Sequence, residues 1–189
     1  MSEADERAAA KARSIDENEP PPASPMDAKI NGTPFSELMN QAVKLKSSQT
    51  AIDRRKFDSW PKFYQNSVYV KEDIQEARLK PFAERIVSAR AHKTTADAAF
   101  REGNLMEASL NYEYALGMFK HARNTDPNWR KKGIDDAVLV EVEYQPANGA
   151  ERAQIAALSL SCYLNVSRCY FKSAEFLTAR QACDAALAI

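Results

Sequence analysis

Two histidines, three cysteines and two close acidic pairs are the side chains of this sequence whose types suit chemistry. Neither His92 nor His121 has a Cys or a paired carboxylate at ligand spacing, so each reads as a structural or solvated imidazole. Cys162, Cys169 and Cys183 fall inside helical patterns without the paired spacing of a zinc site or a disulfide framework, and read as buried thiols in a reducing compartment. Asp135-Asp136 and Glu141/Glu143 sit in a loop-like stretch with nothing to raise one pKa above the other, which makes them solvated charge rather than an acid/base dyad. There is no nucleophile elbow, phosphate-cradling loop, dinucleotide fingerprint or metal-ligating cluster. The expectation is a protein with no catalytic residue, no metal and no cofactor, whose work is binding.

Composition narrows what it binds. Twenty-six basic residues balance 26 acidic ones in 189, so no overall field draws it to nucleic acid or to an anionic membrane. Only five glycines among many Ala, Glu, Lys and Leu favour helix. The Met1–Arg13 segment is charged and Ala-rich with no apolar core, unlike a secretory signal. No window approaches the roughly 18 apolar residues of a membrane span. The cytoplasm is the expected compartment.

The elements that position any binding residues follow from the order of the chain. Residues 1–33 are acidic, polar and interrupted by Pro20, Pro21, Pro22 and Pro25, and are expected to be a disordered tail. From Pro34, Phe35, Leu38, Met39, Ala42, Val43 and Leu45 recur at helical spacing. They predict a short helix that packs as an accessory to the rest or serves as a partner-binding peptide. Residues 34–70 continue into an aromatic segment where Pro61 forbids a continuous helix. Its Phe57, Trp60 and Phe63 are candidate anchors, either of an extended segment on a neighbouring surface or of a partner. Arg54, Arg55, Lys56 and Lys62 are interleaved with them, as in nucleic-acid stacking surfaces, but no basic stripe extends further along the chain. A helix is expected from Lys71-Glu72 past Pro81, with a kink there. The following helices carry residues 71–189, interrupted by an insertion over about 125–149. Val138, Val140, Val142 and Tyr144 alternate like a strand, but with no partner evident the run is expected to be an extended loop lying on helices.

Two stretches within residues 71–189 share one design. KTTADAAFREGNLMEASLNYEYAL, from Lys93, aligns with YLNVSRCYFKSAEFLTARQACDAAL, from Tyr163. The alignment sets Ala96 against Ser167, Gly103 against Ala174, Ala108 against Ala179, Tyr112 against Cys183 and Ala115 against Ala186. Small residues at matched positions let a partner helix approach closely, and bulky ones fill the groove beside it. With turns at Gly103-Asn104 and Ser173-Ala174, this alternation resembles the tetratricopeptide repeat, most closely the form in immunophilin-type co-chaperones. The resemblance implies an all-α fold of helical-hairpin repeats, a right-handed α-solenoid of two repeats with a long insertion between them. His92 and Tyr163 replace the Trp that often opens the repeat, and Lys120 replaces a closing Pro. The copies lie about 37 residues beyond the family's period of about 34, and immunophilin-like members carry a similar insertion.

That family holds the terminal carboxylates of an acidic heat-shock chaperone tail with a clamp of Lys and Asn residues on the first helix of each repeat. Lys93 falls on the clamp's first Lys and Asn165 on the second repeat's Asn, whereas Asp97 stands where the first repeat has Asn. The remaining clamp cations come from a third repeat, before which this sequence stops. Arg101, Arg168 and Lys172 are further candidates for an acidic or extended peptide. The resemblance thus implies a co-chaperone-like adaptor. Its rivals are a fragment of a peptidyl-prolyl isomerase-like protein and an architectural subunit of a larger assembly. Self-association through the open C-terminal repeat is a further expectation, because Cys183, Ala186, Leu187 and Ile189 are left unsheltered.

Overall fold

A computed structural model describes residues 24–189, and the chain forms two units, residues 1–52 and 53–189. The tail expected over 1–33 lies outside the described residues as far as residue 23. Residues 24–33 depart from that expectation. Ser24 caps a 3-10 turn at Pro25–Asp27, and strands β1 (Lys29–Ile30) and β2 (Thr33–Pro34) pair in a minimal hairpin. Asn31-Gly32 makes the turn with φ of 51° and 83°, the left-handed dipeptide that matches the twist of paired strands. Helix α1 (Phe35–Asp53) then runs eight residues beyond the expected Leu45, and none of its residues is buried.

The second unit begins with two short helices, α2 (Arg55–Ser59) and α3 (Lys62–Gln65), on either side of Trp60-Pro61. Pro61 cannot donate a backbone N–H, so it ends one helix and starts the next. Its carbonyl accepts from Tyr64 and Gln65 at 2.8 and 3.0 Å. Helix α4 (Glu72–Ala77) and helix α5 (Phe82–Arg101) are separate, which corrects the expectation of one kinked helix through Pro81. The ring of Pro81 holds the preceding backbone extended, and its carbonyl receives Glu84 N and Arg85 N at 3.1 and 3.0 Å to start α5.

Helices α5 and α6 (Leu105–Gly117) form the first long hairpin, and α8 (Gly149–Lys172) and α9 (Phe176–Leu187) the second, with the four-residue α7 (Trp129–Lys132) between them. The two turns are built identically. Gly103 and Ala174 hold φ of +81° and +60°. Gly103 N and Asn104 N bond to Phe100 O and Ala99 O at 3.2 and 2.9 Å, and Ala174 N and Glu175 N bond to Phe171 O and Tyr170 O at 3.1 and 2.9 Å. Each pair satisfies the last carbonyls of its helix in a Schellman arrangement. The matched small residues Ala96, Ser167, Ala108, Ala179, Ala115 and Ala186 are all buried, and α6 packs on α8 to join the hairpins.

Between the hairpins the structure overturns the expected loop. Helix α6 stops at Gly117, not at Asn124, and strand β3 (Lys120–Asn124) pairs antiparallel with β4 (Leu139–Glu143), setting Ala122 opposite Glu141. Assigning 120–124 to the helix deprived the alternating run of its ladder partner. Tertiary contacts favour the strand: Ala122 N, on the edge facing away from β4, donates to Ser67 Oγ at 2.9 Å, and an edge N–H covered in this way is no longer a liability. Phe57, Val68, Ala122, Ile134 and Leu139 form a small core beneath this sheet, distinct from the main core of the four long helices.

The end of α6 also carries a buried cation. The Arg78 guanidinium donates to Ser67 O at 3.1 Å and lies so close to Gly117 that a Cβ there would stand 2.6 Å from its Nη2. Burial pushes Arg78 down to about 10, while the negative end of the helix dipole favours a cation at this place. Burial, followed by the neighbouring Arg78 charge, pushes His121 down to about 3, which keeps its imidazole neutral.

Candidate functional site

The residues matched to a carboxylate clamp come together in the fold, 68 residues apart in the chain, on adjoining faces of α5 and α8. Asp97 is their centre. Its carboxylate accepts from Lys93 Nζ at 2.6 Å, one turn earlier on α5, from the Tyr112 hydroxyl of α6 at 2.6 Å and from Asn165 Nδ2 of α8 at 3.3 Å. Burial opposes ionisation of Asp97, but the bonds from Lys93 and Tyr112 outweigh it and hold the carboxyl below the usual range. Burial and the Asp97 charge together push the Tyr112 phenol up. The Lys93 charge is therefore already neutralised, and the Asn165 amide already engaged, within the protein.

The cations left open on this face come from further along the same helices. The guanidinium of Arg168 and the ammonium of Lys172 both lie over the Phe100 ring, 4.9 and 5.0 Å from its centre. An aromatic face attracts cations without cancelling their charge. Arg101 donates Nε to the Asp97 carbonyl at 3.1 Å, a bond to a neutral group. The result is a ledge of two cations over one ring, with Arg101 bonded to the backbone of Asp97, bordering the Lys93–Asp97–Asn165 network.

The aromatic anchors are placed differently from a partner-binding role. Phe57 is 2% exposed in the small core and Phe63 is buried against Tyr163 of α8, ring centres 5.5 Å apart. Trp60 is half-buried between Phe57 and Tyr64, with Lys56 over its ring. They fasten residues 55–70 to this protein's own helices and sheet as short helical pieces rather than as an extended strand.

The acidic pairs of the insertion are not simply solvated either. Both oxygens of Asp136 accept from the backbone N–H groups of Lys56 and Phe57, at 2.6 and 2.9 Å, which caps α2 from 79 residues away. Asp135 caps the 3-10 turn that precedes β4. Glu141 pairs with Lys56 at 2.9 Å, and its bond to that ammonium holds its carboxyl low.

Sequence reasoning missed two features. Glu113 of α6, 5% exposed, accepts a short hydrogen bond from the Tyr170 hydroxyl of α8 and one from Asn66 Nδ2 at 2.9 Å. Burial nevertheless pushes it up to about 7, so a titrating carboxyl joins the two hairpins and the aromatic segment. No sequence signal marks it, since its burial depends on three distant elements. The second is a groove of about 510 Å³ between α8 and α9. Its α9 wall, Phe176, Ala179, Arg180 and Cys183, recurs at helical spacing and was legible as a face. Cys183 is exposed there, unlike Cys162 and Cys169, which corrects the reading of all three thiols as buried.

His92 Nδ1 lies 3.1 Å from Asn111 Oδ1 and its ring meets Tyr114 edge-on, a structural setting. Among the described residues no group of three His, Cys, Asp or Glu side chains is placed to hold a metal ion, and no helix is long and apolar enough to cross a membrane. In comparisons with known proteins, no family model, no curated protein and no solved structure matches this chain.

Proposed function

We propose that this chain is a non-catalytic binding module of tetratricopeptide type, whose α5–α8 face receives an acidic peptide as a co-chaperone-like adaptor does. The observation that carries the reading is the ledge of Arg168 and Lys172 over Phe100, with Arg101 bonded to the Asp97 carbonyl, contributed by matching helices of two hairpins with identically built turns. A cationic ledge with an aromatic centre suits an extended segment that alternates carboxylates with apolar side chains.

The pairing of Lys93 with Asp97 refines this reading. A terminal carboxylate arriving at Lys93 meets a charge already satisfied at 2.6 Å and a second carboxylate beside it. Asp97→Asn removes that repulsion and restores the residue type of the clamp. The test is fluorescence anisotropy with a labelled acidic peptide ending in a free carboxylate. Weak, salt-sensitive binding is expected for the native protein, about tenfold tighter binding for Asp97→Asn, equivalent to about 1.4 kcal/mol, and loss of that gain in Lys93→Ala/Asp97→Asn. Absence of saturable binding by all three proteins would overturn the reading.

A further inference from the structure

The groove between α8 and α9 is lined by none of Lys93, Asp97 and Asn165, although Arg168 and Lys172 belong both to it and to the ledge over Phe100. Much of its lining is apolar: Ala179 and Cys183 share it with the rings of Phe171 and Phe176, which meet edge-on with centres 5.5 Å apart. Those rings are 65% and 60% exposed, and Leu177 and Leu187 on the same helix are also exposed. Such a concentration of bare apolar side chains on two adjacent helices exceeds the scattered exposure normal for a protein surface.

The rim fixes the chemistry of the occupant. Arg168, Lys172 and Arg180 all line the groove, and no carboxylate does. Among the described residues none of the three is in an ion pair, whereas Lys62, Lys93, Lys120 and Lys132 each have an acidic partner. Apolar lining and cationic rim together select a ligand that is apolar on one side and acidic on its flanks. The two walls are helices whose lining residues recur every three or four positions, so the channel between them accepts the ridge of a third helix.

We infer that the α8–α9 groove docks an acidic amphipathic helix of a partner protein, its apolar ridge seated against Phe171, Phe176 and Ala179 and its carboxylates facing Arg168, Lys172 and Arg180. This inference shares Arg168 and Lys172 with the ledge of the function proposed above, but it needs neither a free C-terminus nor Lys93, and Arg180, Phe176 and Cys183 belong to it alone.

The exposed thiol of Cys183 in the groove lining supplies the assay. The probe is a fluorescein-labelled, C-terminally amidated helix of Glu, Ala and Leu, with Leu recurring at intervals of three and four. Its counterparts carry Lys in place of Glu, or Ser in place of Leu. Saturable binding to the full chain is expected, with at least tenfold slower alkylation of Cys183 by a maleimide in the complex. Binding is expected to weaken at least tenfold in Arg180→Glu and in Phe176→Ser, both substitutions of exposed side chains. The inference is overturned if the probe binds without protecting Cys183, if Arg180→Glu binds as the native protein does, or if either counterpart binds equally well. It is also overturned if sedimentation shows a dimer in which Cys183 is protected without peptide, since the occupant is then a second copy of this chain.

Discussion

Replacing Glu113 by glutamine should remove a specific part of the protein's pH dependence. A carboxyl raised from 4.5 to about 7 by burial holds its proton more tightly in the fold than in the unfolded chain. The stabilisation from that proton is complete below about pH 4.5 and is lost as pH rises through about 7. At about 1.36 kcal/mol per unit, the interval amounts to about 3 kcal/mol. The glutamine side chain keeps the volume and an oxygen for the Tyr170 hydroxyl, and Asn66 can turn its amide to present its own oxygen. His121 works in the opposite sense: its depressed value contributes stability above about 6.5 that is lost as pH falls toward about 3. The native curve alone therefore mixes two slopes, and the comparison with Glu113→Gln isolates one. Urea unfolding of both proteins at pH 4.5 and 8 is the assay. The variant should gain on the native protein by about 3 kcal/mol between those values, a midpoint shift of about 1–2 M if the slope is near 2 kcal/mol per molar. Parallel pH profiles for the two proteins would show that the Glu113 carboxyl titrates in the fold as it does in the unfolded chain, and the reasoning would fail.

Other outcomes follow from local geometry. Ala174→Gly relieves a left-handed residue at the place where the first hairpin already has Gly103. A gain of about 1 kcal/mol is expected, seen as a rise in Tm of about 2–4 °C by circular dichroism; an unchanged or lower Tm would refute it. Asp136→Ala uncaps α2 and should cost about 1–2 kcal/mol in chemical denaturation. A neutral result there would mean that the insertion does not hold the aromatic segment in place.

The two long hairpins were legible in the residue order because their causes are local. The three-and-four spacing of apolar residues, Gly103 after a helix and small residues at matched places all act within one or two turns. The hairpin of residues 29–34 was equally local, and Asn31-Gly32 was its signal. At Pro81 the ring disfavours helix in the residue before it and the carbonyl accepts the first bonds of α5, so the two helices are separate. Residues 120–124 are different in kind. Met118, Phe119 and Ala122 are spaced acceptably for a helix, yet 120–124, with Ala122 in it, become a strand because Leu139–Glu143 offers a ladder and Ser67 covers the opposite edge.

The candidate site divides in the same way. The repeat resemblance singled out Lys93, Asp97 and Asn165, and residue type added Arg168 and Lys172 without orienting them. Only the packing of α5 against α6 and α8 decided that Asp97 takes up Lys93, Tyr112 and Asn165, leaving Arg168 and Lys172 over Phe100. Periodicity reports which side of a helix is apolar, because that depends on neighbours three and four residues away. The charge a carboxylate neutralises and the water it loses depend on groups brought from 68 or 57 residues away, and tertiary packing alone sets those distances.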